Sequence, residues 1–312
     1  MSNMPATLQE ALSVPSPTYI GGGTDIMPLL KNQVRTDKDL VFLKSIPELK
    51  EIREEADCLV IGSGVTLWDL SQDERILALL PAVAQAAAVT ASPQIRNIAT
   101  LGGNIMQDRR CIYFNQSAYW RSGLPLCFKT GGKVCLQIPN SPVCRAIYYS
   151  DVATALLAYD AEVEYMENGE AHTCPLAELI ARHSEANGLA CDKHLPVLVT
   201  AFRVPKPAEG ERSGFHKYAM RATIDFPLIN FALRCGGGRP AKIVAGAVST
   251  QPVILEETAA LLDSGASDDE VTAAACAELK KLAKPIKEAC ITPAVKRDLY
   301  NQISTLLHLQ KD

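Results

Sequence analysis

Apolar runs along the chain alternate with short glycine turns, and their spacing predicts a protein that mixes strands and helices. Residues 40–43 and 58–61 are short apolar runs bounded by charged residues or glycine, which is typical of strands. Residues 76–88 carry alanine and leucine at helical spacing, and residues 152–158 have the pattern of an amphipathic helix. The first two thirds of the chain therefore contain both element types in alternation.

A charged stretch rich in proline and glycine, residues 205–210, interrupts this pattern and is the best candidate for a domain boundary. Beyond it the pattern predicts strands first and helices afterwards, which indicates an α+β domain. We therefore predict two domains, residues 1–207 and residues 208–312. The later strands are expected at residues 214–221, 228–235 and 243–248.

The overall charge excludes some classes of partner. The 312 residues carry 31 basic and 35 acidic side chains, a formal charge of −4, so no basic field attracts nucleic acid. The N-terminus lacks the charged and apolar regions of a signal peptide, and no apolar run approaches the roughly 18 residues of a membrane span. These features predict a cytoplasmic protein that binds neither nucleic acid nor a membrane.

Two glycine turns are candidate sites for a phosphorylated ligand. The first reads Gly21-Gly22-Gly23-Thr24-Asp25, and the second reads Thr100-Leu101-Gly102-Gly103-Asn104. Glycine lets the backbone adopt positive φ and approach a ligand closely, and free N–H groups in such a turn bind phosphate oxygens. Two such turns could hold one diphosphate from both sides. Plain turns remain the alternative, and neither stretch is a G-x-G-x-x-G dinucleotide fingerprint.

Ten cysteines are many for a protein in a reducing compartment, and four of them lie in one segment without helical or strand periodicity. Their spacing is C-x15-C-x7-C-x8-C, which offers four thiolates to a [4Fe–4S] cluster. The short C-x2-4-C pairs of structural zinc sites are absent from the sequence, although zinc and unliganded thiols remain alternatives. The segment is rich in glycine and proline and also aromatic, which indicates an ordered functional loop. The four residues are Cys111, Cys127, Cys135 and Cys144.

The other cysteines and all the histidines are predicted to have packing roles. The six remaining cysteines should be small buried apolar residues, and the five histidines, which show no metal-ligand spacing, should be surface or packing residues. These cysteines are Cys58, Cys174, Cys191, Cys235, Cys276 and Cys290, and the histidines are His172, His183, His194, His216 and His308.

Four motifs together resemble the FAD-binding subunits of the molybdenum hydroxylase (xanthine oxidase) family. They are YIGGGTDIMPLLK, IRNIATLGGNI, the pair Ser150-Asp151 before an apolar helix, and GFHKYAMR. In most relatives the aspartate follows the TLGGN turn closely, whereas here an insert of about residues 105–149 separates them. This insert is similar to the one in the β subunits of 4-hydroxybenzoyl-CoA reductases, which carries an additional [4Fe–4S] cluster.

The resemblance implies a fold and a set of ligand-binding residues. The fold would be a two-lobed, PCMH-type FAD-binding domain, followed by an α+β C-terminal domain like that of CO dehydrogenase flavoproteins. The cluster would be held by the four loop cysteines, Asp151 would contact the ADP end of FAD, and Lys217 would lie near the isoalloxazine. The full set implied to bind FAD is Ile20, Gly21, Gly22, Gly23, Thr24, Asp25, Leu29, Thr90, Thr100, Gly102, Gly103, Asn104, Asp151 and Lys217.

The resemblance also implies a function in electron transfer, with no catalytic acid or base on this chain. The chain would pass electrons from ferredoxin to a molybdenum subunit, for reductive dehydroxylation of 4-hydroxybenzoyl-CoA or a related aromatic acyl-CoA. Partners would be a large molybdopterin-binding subunit and a small [2Fe–2S] subunit, assembled as a dimer of heterotrimers. One alternative is an oxidative molybdenum hydroxylase that passes electrons outward, and the other is a non-enzymatic zinc-binding scaffold.

Overall fold

The computed structural model describes residues 2–189, 195–221 and 223–310, and three β-sheets organise this part of the chain. The first sheet has three parallel strands in the order β1-β3-β2. Its small core includes Ala11, Val41, Ile46 and Leu49. The elements of this lobe are β1 (Ser2–Asn3), α1 (Leu8–Leu12), β2 (Thr18–Ile20), α2 (Ile26–Lys31) and β3 (Leu40–Phe42), with 3-10 helices at Leu43–Ser45 and Pro47–Lys50.

The second sheet is antiparallel and has five strands in the order β4-β5-β8-β6-β7. β5 is buried along its whole length because it lies inside the sheet, next to a strand from the far end of the same domain. The strands are β4 (Ile52–Glu54), β5 (Cys58–Gly62), β6 (Glu162–Glu167), β7 (Glu170–Pro175) and β8 (Leu198–Pro205).

Helices cover this sheet and form the largest apolar core. All eight residues of the helix Asp151–Ala158 are buried, because it packs against other helices on one side and the third sheet on the other. The helices are α3 (Leu67–Gln72), α4 (Glu74–Leu79), α5 (Pro81–Ala88), α6 (Pro93–Arg96), α7 (Leu101–Ile105), α8 (Ala118–Arg121), α9 (Asp151–Ala158) and α10 (Leu176–Asn187), with a 3-10 helix at Phe128–Thr130.

The third sheet is a four-stranded antiparallel sheet in the order β12-β11-β10-β9, and helices pack on it. A second apolar core, drawn entirely from residues 229–309, lies between this sheet and those helices. The elements are β9 (Glu211–Tyr218), β10 (Ile229–Gly236), β11 (Lys242–Gly246), β12 (Val253–Ile254), α11 (Glu256–Asp263), α12 (Asp268–Leu282), α13 (Pro293–Asp298) and a 3-10 helix, Leu299–Gln310.

The structure corrects two details of the sequence-based predictions. The single helix expected over residues 76–88 is two helices, because Pro81 lacks an N–H and therefore begins α5 instead of continuing α4. Among the cysteines expected to be buried, Cys276 is half-buried and Cys290 is exposed. Cys191 and His194 lie outside the described residues. No helix in the part of the chain that the structure describes combines the length and apolarity needed to cross a bilayer.

Candidate functional site

The two predicted glycine turns line one cavity of about 530 Å³, which we call the turn cavity. One turn follows β2 and leads into α2, and the other begins α7. The volume lies within the range of about 300–1,000 Å³ that is usual for cofactor and ligand sites. Nine of the fourteen residues predicted to bind FAD line this cavity: Ile20, Gly21, Gly22, Gly23, Thr24, Asp25, Thr100, Gly102 and Gly103.

The turns need glycine because they touch each other. A Cβ at Gly21 would lie 2.2 Å from the Thr100 hydroxyl oxygen, and a Cβ at Gly22 would lie 1.9 Å from the carbonyl oxygen of Ile98. Gly23 has a φ of +72°, in the left-handed region that favours glycine. Within the described residues, the N–H groups of Gly22, Gly23 and Thr24 donate to no protein acceptor, so they are available to an anionic ligand.

A third turn, at residues 63–66, completes the cavity wall, and the sequence-based set does not include it. It connects β5 to α3, and Ser63, Gly64, Val65 and Thr66 all line the cavity. The Ser63 carbonyl accepts the N–H of Gly102 at 2.8 Å, and Thr66 forms a bridge with Thr100. The sequence of this turn, Gly62-Ser63-Gly64, has the same glycine pattern as the other two turns, and this pattern could have identified it.

Five of the predicted FAD-binding residues lie off the cavity. Leu29 packs with Val34 and Phe114 in a separate apolar cluster. Asn104 accepts a hydrogen bond from the Ser150 hydroxyl at 2.5 Å. Ser150 caps α9, so this bond connects the second glycine turn to the helix that begins with Asp151.

The other three of these residues, Thr90, Asp151 and Lys217, form one network around the buried Asp151 carboxylate. The Asp151 carboxylate accepts hydrogen bonds from the Lys217 ammonium at 3.0 Å, from the Asn230 amide at 2.5 Å and from the Thr90 hydroxyl at 3.4 Å. Burial raises the pKa of Asp151, and the ion pair with Lys217 opposes that shift. The network joins the start of α9 to β9 and β10 of the third sheet.

His183 also lies on the turn cavity, whereas the sequence predicted a surface or packing residue. Its Nε2 is 3.0 Å from the carbonyl oxygen of Gln107, so this nitrogen carries the proton and donates. Burial lowers the pKa of His183, which keeps the ring neutral. Nδ1 is then a buried acceptor without a hydrogen-bond partner in the described part of the chain.

All four loop cysteines line a second, smaller cavity, which we call the thiol cavity. Polar hydrogens reach three of the sulfur atoms. The Ala146 N–H is 3.4 Å from Cys144 Sγ, the Gln137 amide is 3.7 Å from Cys111 Sγ, and the Thr130 hydroxyl is 3.6 Å from Cys127 Sγ. Such donors are the contacts that thiolate sulfurs receive in metal centres.

The two ends of the cysteine loop, residues 111–146, meet at one point. Arg110 and Ile147 exchange both backbone hydrogen bonds, at 2.8 and 2.9 Å, and residues 111–146 lie between them. At this point Asp25 accepts the N–H of Asp108 at 2.9 Å and forms an ion pair with Arg110. The base of the loop is therefore bonded directly to the first glycine turn.

Buried charge beside the thiol cavity favours an anionic ligand. Beside the thiol cavity the side chains of Arg109 and Lys129 are almost fully buried, against one buried carboxylate, Asp108. Arg35, on the side of the turn cavity, is paired with Asp37. Burial lowers the pKa of both Lys129 and Arg109. Because an uncompensated buried cation costs several kcal/mol, a thiolate-ligated metal centre, which is anionic, fits this site.

Among the described residues Arg109 forms no direct ion pair, and Asp108 is the carboxylate that acts on it at longer range. Its Nη1 donates to the carbonyl oxygens of Cys144 at 3.3 Å and Ala146 at 3.2 Å, and its Nε is buried without an acceptor. The negative charge of a centre bound by Cys135 and Cys144 would reach this guanidinium, which is in electrostatic range of both thiols. The residues present therefore fit a thiolate-bound metal centre.

The family of the chain follows from comparison with known proteins. Residues 2–207 match the family described as the FAD binding domain in molybdopterin dehydrogenase. The chain belongs to this family. As a member of the FAD-binding subunits of molybdenum hydroxylases, it has the FAD-binding domain and the glycine turns that the sequence predicted.

Curated relatives agree with this assignment. The chain is 28% identical over 278 residues to the aldehyde oxidoreductase FAD-binding subunit of Escherichia coli K12, covering 85% of each protein. It is 27% identical over 257 residues to the xanthine dehydrogenase FAD-binding subunit of Escherichia coli O157:H7, covering 80% of this chain and 74% of the relative.

Solved structures share the fold of the whole chain. A carbon monoxide dehydrogenase structure from Hydrogenophaga pseudoflava superposes with a TM-score of 0.74 at 20% identity, covering 98% of this chain and 94% of the other. Quinoline 2-oxidoreductase from Pseudomonas putida 86 gives a TM-score of 0.73 at 20% identity, covering 99% and 95%. These similarities confirm the predicted α+β fold class.

Proposed function

We propose that the chain is the electron-transfer subunit of a molybdenum-dependent oxidoreductase, with FAD in the turn cavity and a [4Fe–4S] cluster in the thiol cavity. The observation that carries the proposal is the convergence of four dispersed cysteines on one cavity beside surplus buried positive charge. When bound, FAD supplies one- and two-electron chemistry and the cluster supplies one-electron chemistry. We also propose a domain boundary between residues 207 and 208, in the segment that joins β8 to β9.

In this proposal the backbone holds the FAD diphosphate. The free N–H groups of Gly22, Gly23 and Thr24 would donate to its oxygens, and the second turn would approach from the opposite side. The contact of Asp151 with the ADP end and the position of Lys217 near the isoalloxazine also remain proposals. Both residues belong to the network next to the Ser150–Asn104 bond, which leads to the second glycine turn.

The spacing of the sulfur atoms supports a cluster over zinc. In the part of the chain that the structure describes, no three of the four sulfurs lie within 4.8 Å of one another. A tetrahedral zinc ion with Zn–S bonds of about 2.3 Å holds its thiolates about 3.8 Å apart. A [4Fe–4S] cluster spreads its thiolates over four iron atoms, so it suits a wider arrangement.

We further propose that the complex takes electrons from ferredoxin and reductively dehydroxylates 4-hydroxybenzoyl-CoA or a related aromatic acyl-CoA. The molybdenum cofactor and the [2Fe–2S] clusters would be on a large and a small partner subunit, in a dimer of heterotrimers. The cysteine loop supports an acidic donor, because residues 111–146 contain no acidic side chain and three basic ones that are not buried: Arg121, Lys133 and Arg145. Electrostatic attraction of an acidic carrier to this loop would accelerate encounter.

The oxidative direction is the second candidate. It is favoured by the names of the curated relatives, which include an aldehyde oxidoreductase and a xanthine dehydrogenase. In that case the same cofactors would pass electrons outward to an acceptor. Assays of the complete complex with reduced ferredoxin and 4-hydroxybenzoyl-CoA, and with aldehyde or xanthine and an artificial acceptor, separate the two directions.

Anaerobic purification tests the cofactor content directly. We expect about four iron atoms and four sulfides per FAD, as a [4Fe–4S] centre requires. In Cys127→Ser the iron should be lost or strongly reduced and FAD retained, because the two cavities are separate. Cys235→Ser, a buried cysteine on β10, is the matched control and should keep both. Zinc without flavin would support the scaffold alternative and overturn the proposal.

A further inference from the structure

One buried ion pair separates the two cavities. Asp108 lines the turn cavity, Lys129 lines the thiol cavity, and Lys129 Nζ lies 3.7 Å from Asp108 Oδ1. Arg35, which also lines the turn cavity, approaches the other oxygen of Asp108 at 3.6 Å. Two side chains in contact thus form the wall between the predicted FAD site and the four thiols.

The surroundings of Lys129 hold it as an ammonium. Its Nζ donates to the carbonyl oxygen of Arg109 at 3.0 Å and to Asn187 Oδ1 at 2.9 Å, and it faces Asp108. These two hydrogen bonds and the facing carboxylate favour the ammonium form over the neutral amine. The Nζ also lies 4.3 Å from the centre of the Phe114 ring, and the residue is only 2% exposed.

We propose that Lys129 is a positioning residue whose fixed positive charge raises the reduction potential of the metal centre held by the four cysteines, and that Asp108 opposes this effect. The inference rests on the proposed function, because it assumes a redox centre in the thiol cavity. Reduction adds one electron, and therefore one negative charge, to that centre. A nearby cation stabilises the reduced form, and the effect is strong where burial excludes water and salt.

The Lys129–Asp108 pair would also affect the difference between the reduction potentials of the flavin and of the metal centre. Lys129 contacts only the thiol cavity, so its charge acts more strongly on the metal centre than on the flavin. Asp108 lines the turn cavity and is separated from the thiol cavity by Lys129. Loss of Lys129 should therefore change the difference between the two potentials as well as the potential of the centre.

Redox titration of the full chain, purified anaerobically with its partner subunits where they remain bound, tests this inference. We expect a lower potential of the iron centre in Lys129→Met and a higher one in Asp108→Asn. The double variant removes one charge of each sign and should return towards wild type. Lys296→Met is the matched control, since Lys296 is fully buried and paired with Glu288 but lines neither cavity, and it should leave the potential unchanged.

The outcomes separate this inference from the proposed function. Unchanged potentials in both single variants with full iron content, or a double variant shifted further than Lys129→Met, would overturn the role of Lys129 and leave the cluster proposal standing. If Lys129→Met loses its iron, the rise expected in Asp108→Asn decides the question. A wild-type protein with FAD and no iron would overturn both.

Discussion

At the scale of single residues, His183 illustrates a role that its sequence context did not indicate. It sits in the middle of α10, three residues after the buried Ile180, which is the pattern of a packing residue. The turn that carries Gln107 reaches this helix only in the folded chain, and it supplies the carbonyl that fixes the Nε2–H tautomer. The buried neutral ring then has a measurable consequence for stability.

The protein should become less stable as the pH decreases, because of His183. Burial lowers its pKa from the ordinary value of 6.5, so below that pH the unfolded chain binds a proton that the folded chain does not. By linkage, the contribution of this residue to the free energy of unfolding decreases by up to about 1.4 kcal/mol per pH unit as the pH falls below 6.5. Denaturant titrations should show this slope in wild type and a flatter one in His183→Gln. His172→Gln, at an exposed position on β7, should keep the wild-type slope.

At the scale of elements, the sequence was sufficient to predict a turn that is defined by its own residues. It was insufficient to predict contacts between segments that are distant along the chain. The two glycine turns were predicted and line one cavity. The turn at residues 63–66 was not, because its proximity to Gly102 depends on the packing of β5. Leu29 was expected beside the cofactor, whereas Phe114 from the cysteine loop packs against it. No local pattern in either segment indicates that contact.

The cysteine loop should be separable from the FAD site. Arg110 and Ile147 lie opposite each other and exchange both backbone hydrogen bonds. A two-residue hairpin turn can connect two residues in this geometry. We expect a chain with residues 111–146 replaced by Asn-Gly to fold and bind FAD, and to contain no iron. It should also melt at a lower temperature, since Asp108 loses Lys129 and Leu29 loses Phe114. Loss of FAD from a folded deletion variant would contradict the separation of the two cavities.

At the scale of the whole molecule, charge and apolar surface are concentrated at the loop. Subtracting the four cations of residues 111–146 from the total charge of −4 leaves −8 on the rest of the chain. Three of the four cysteines directly follow an exposed aliphatic residue: Leu126, Val134 and Val143 are 62%, 41% and 50% exposed. An apolar centre with a charged rim is the usual anatomy of a transient protein interface. The proposed donor would therefore dock over the thiol cavity.

Reversing one charge on this surface should slow reduction by the donor. Lys133 is exposed, lies between Cys127 and Cys135, and forms no ion pair within the described residues. In Lys133→Glu we expect the rate of reduction by ferredoxin to fall about threefold to tenfold at low ionic strength, because long-range attraction sets the encounter rate. The difference should shrink as salt screens the charges. Lys280→Glu, the same change at an exposed position on α12, is the matched control, and an equal effect in both variants would place the donor elsewhere.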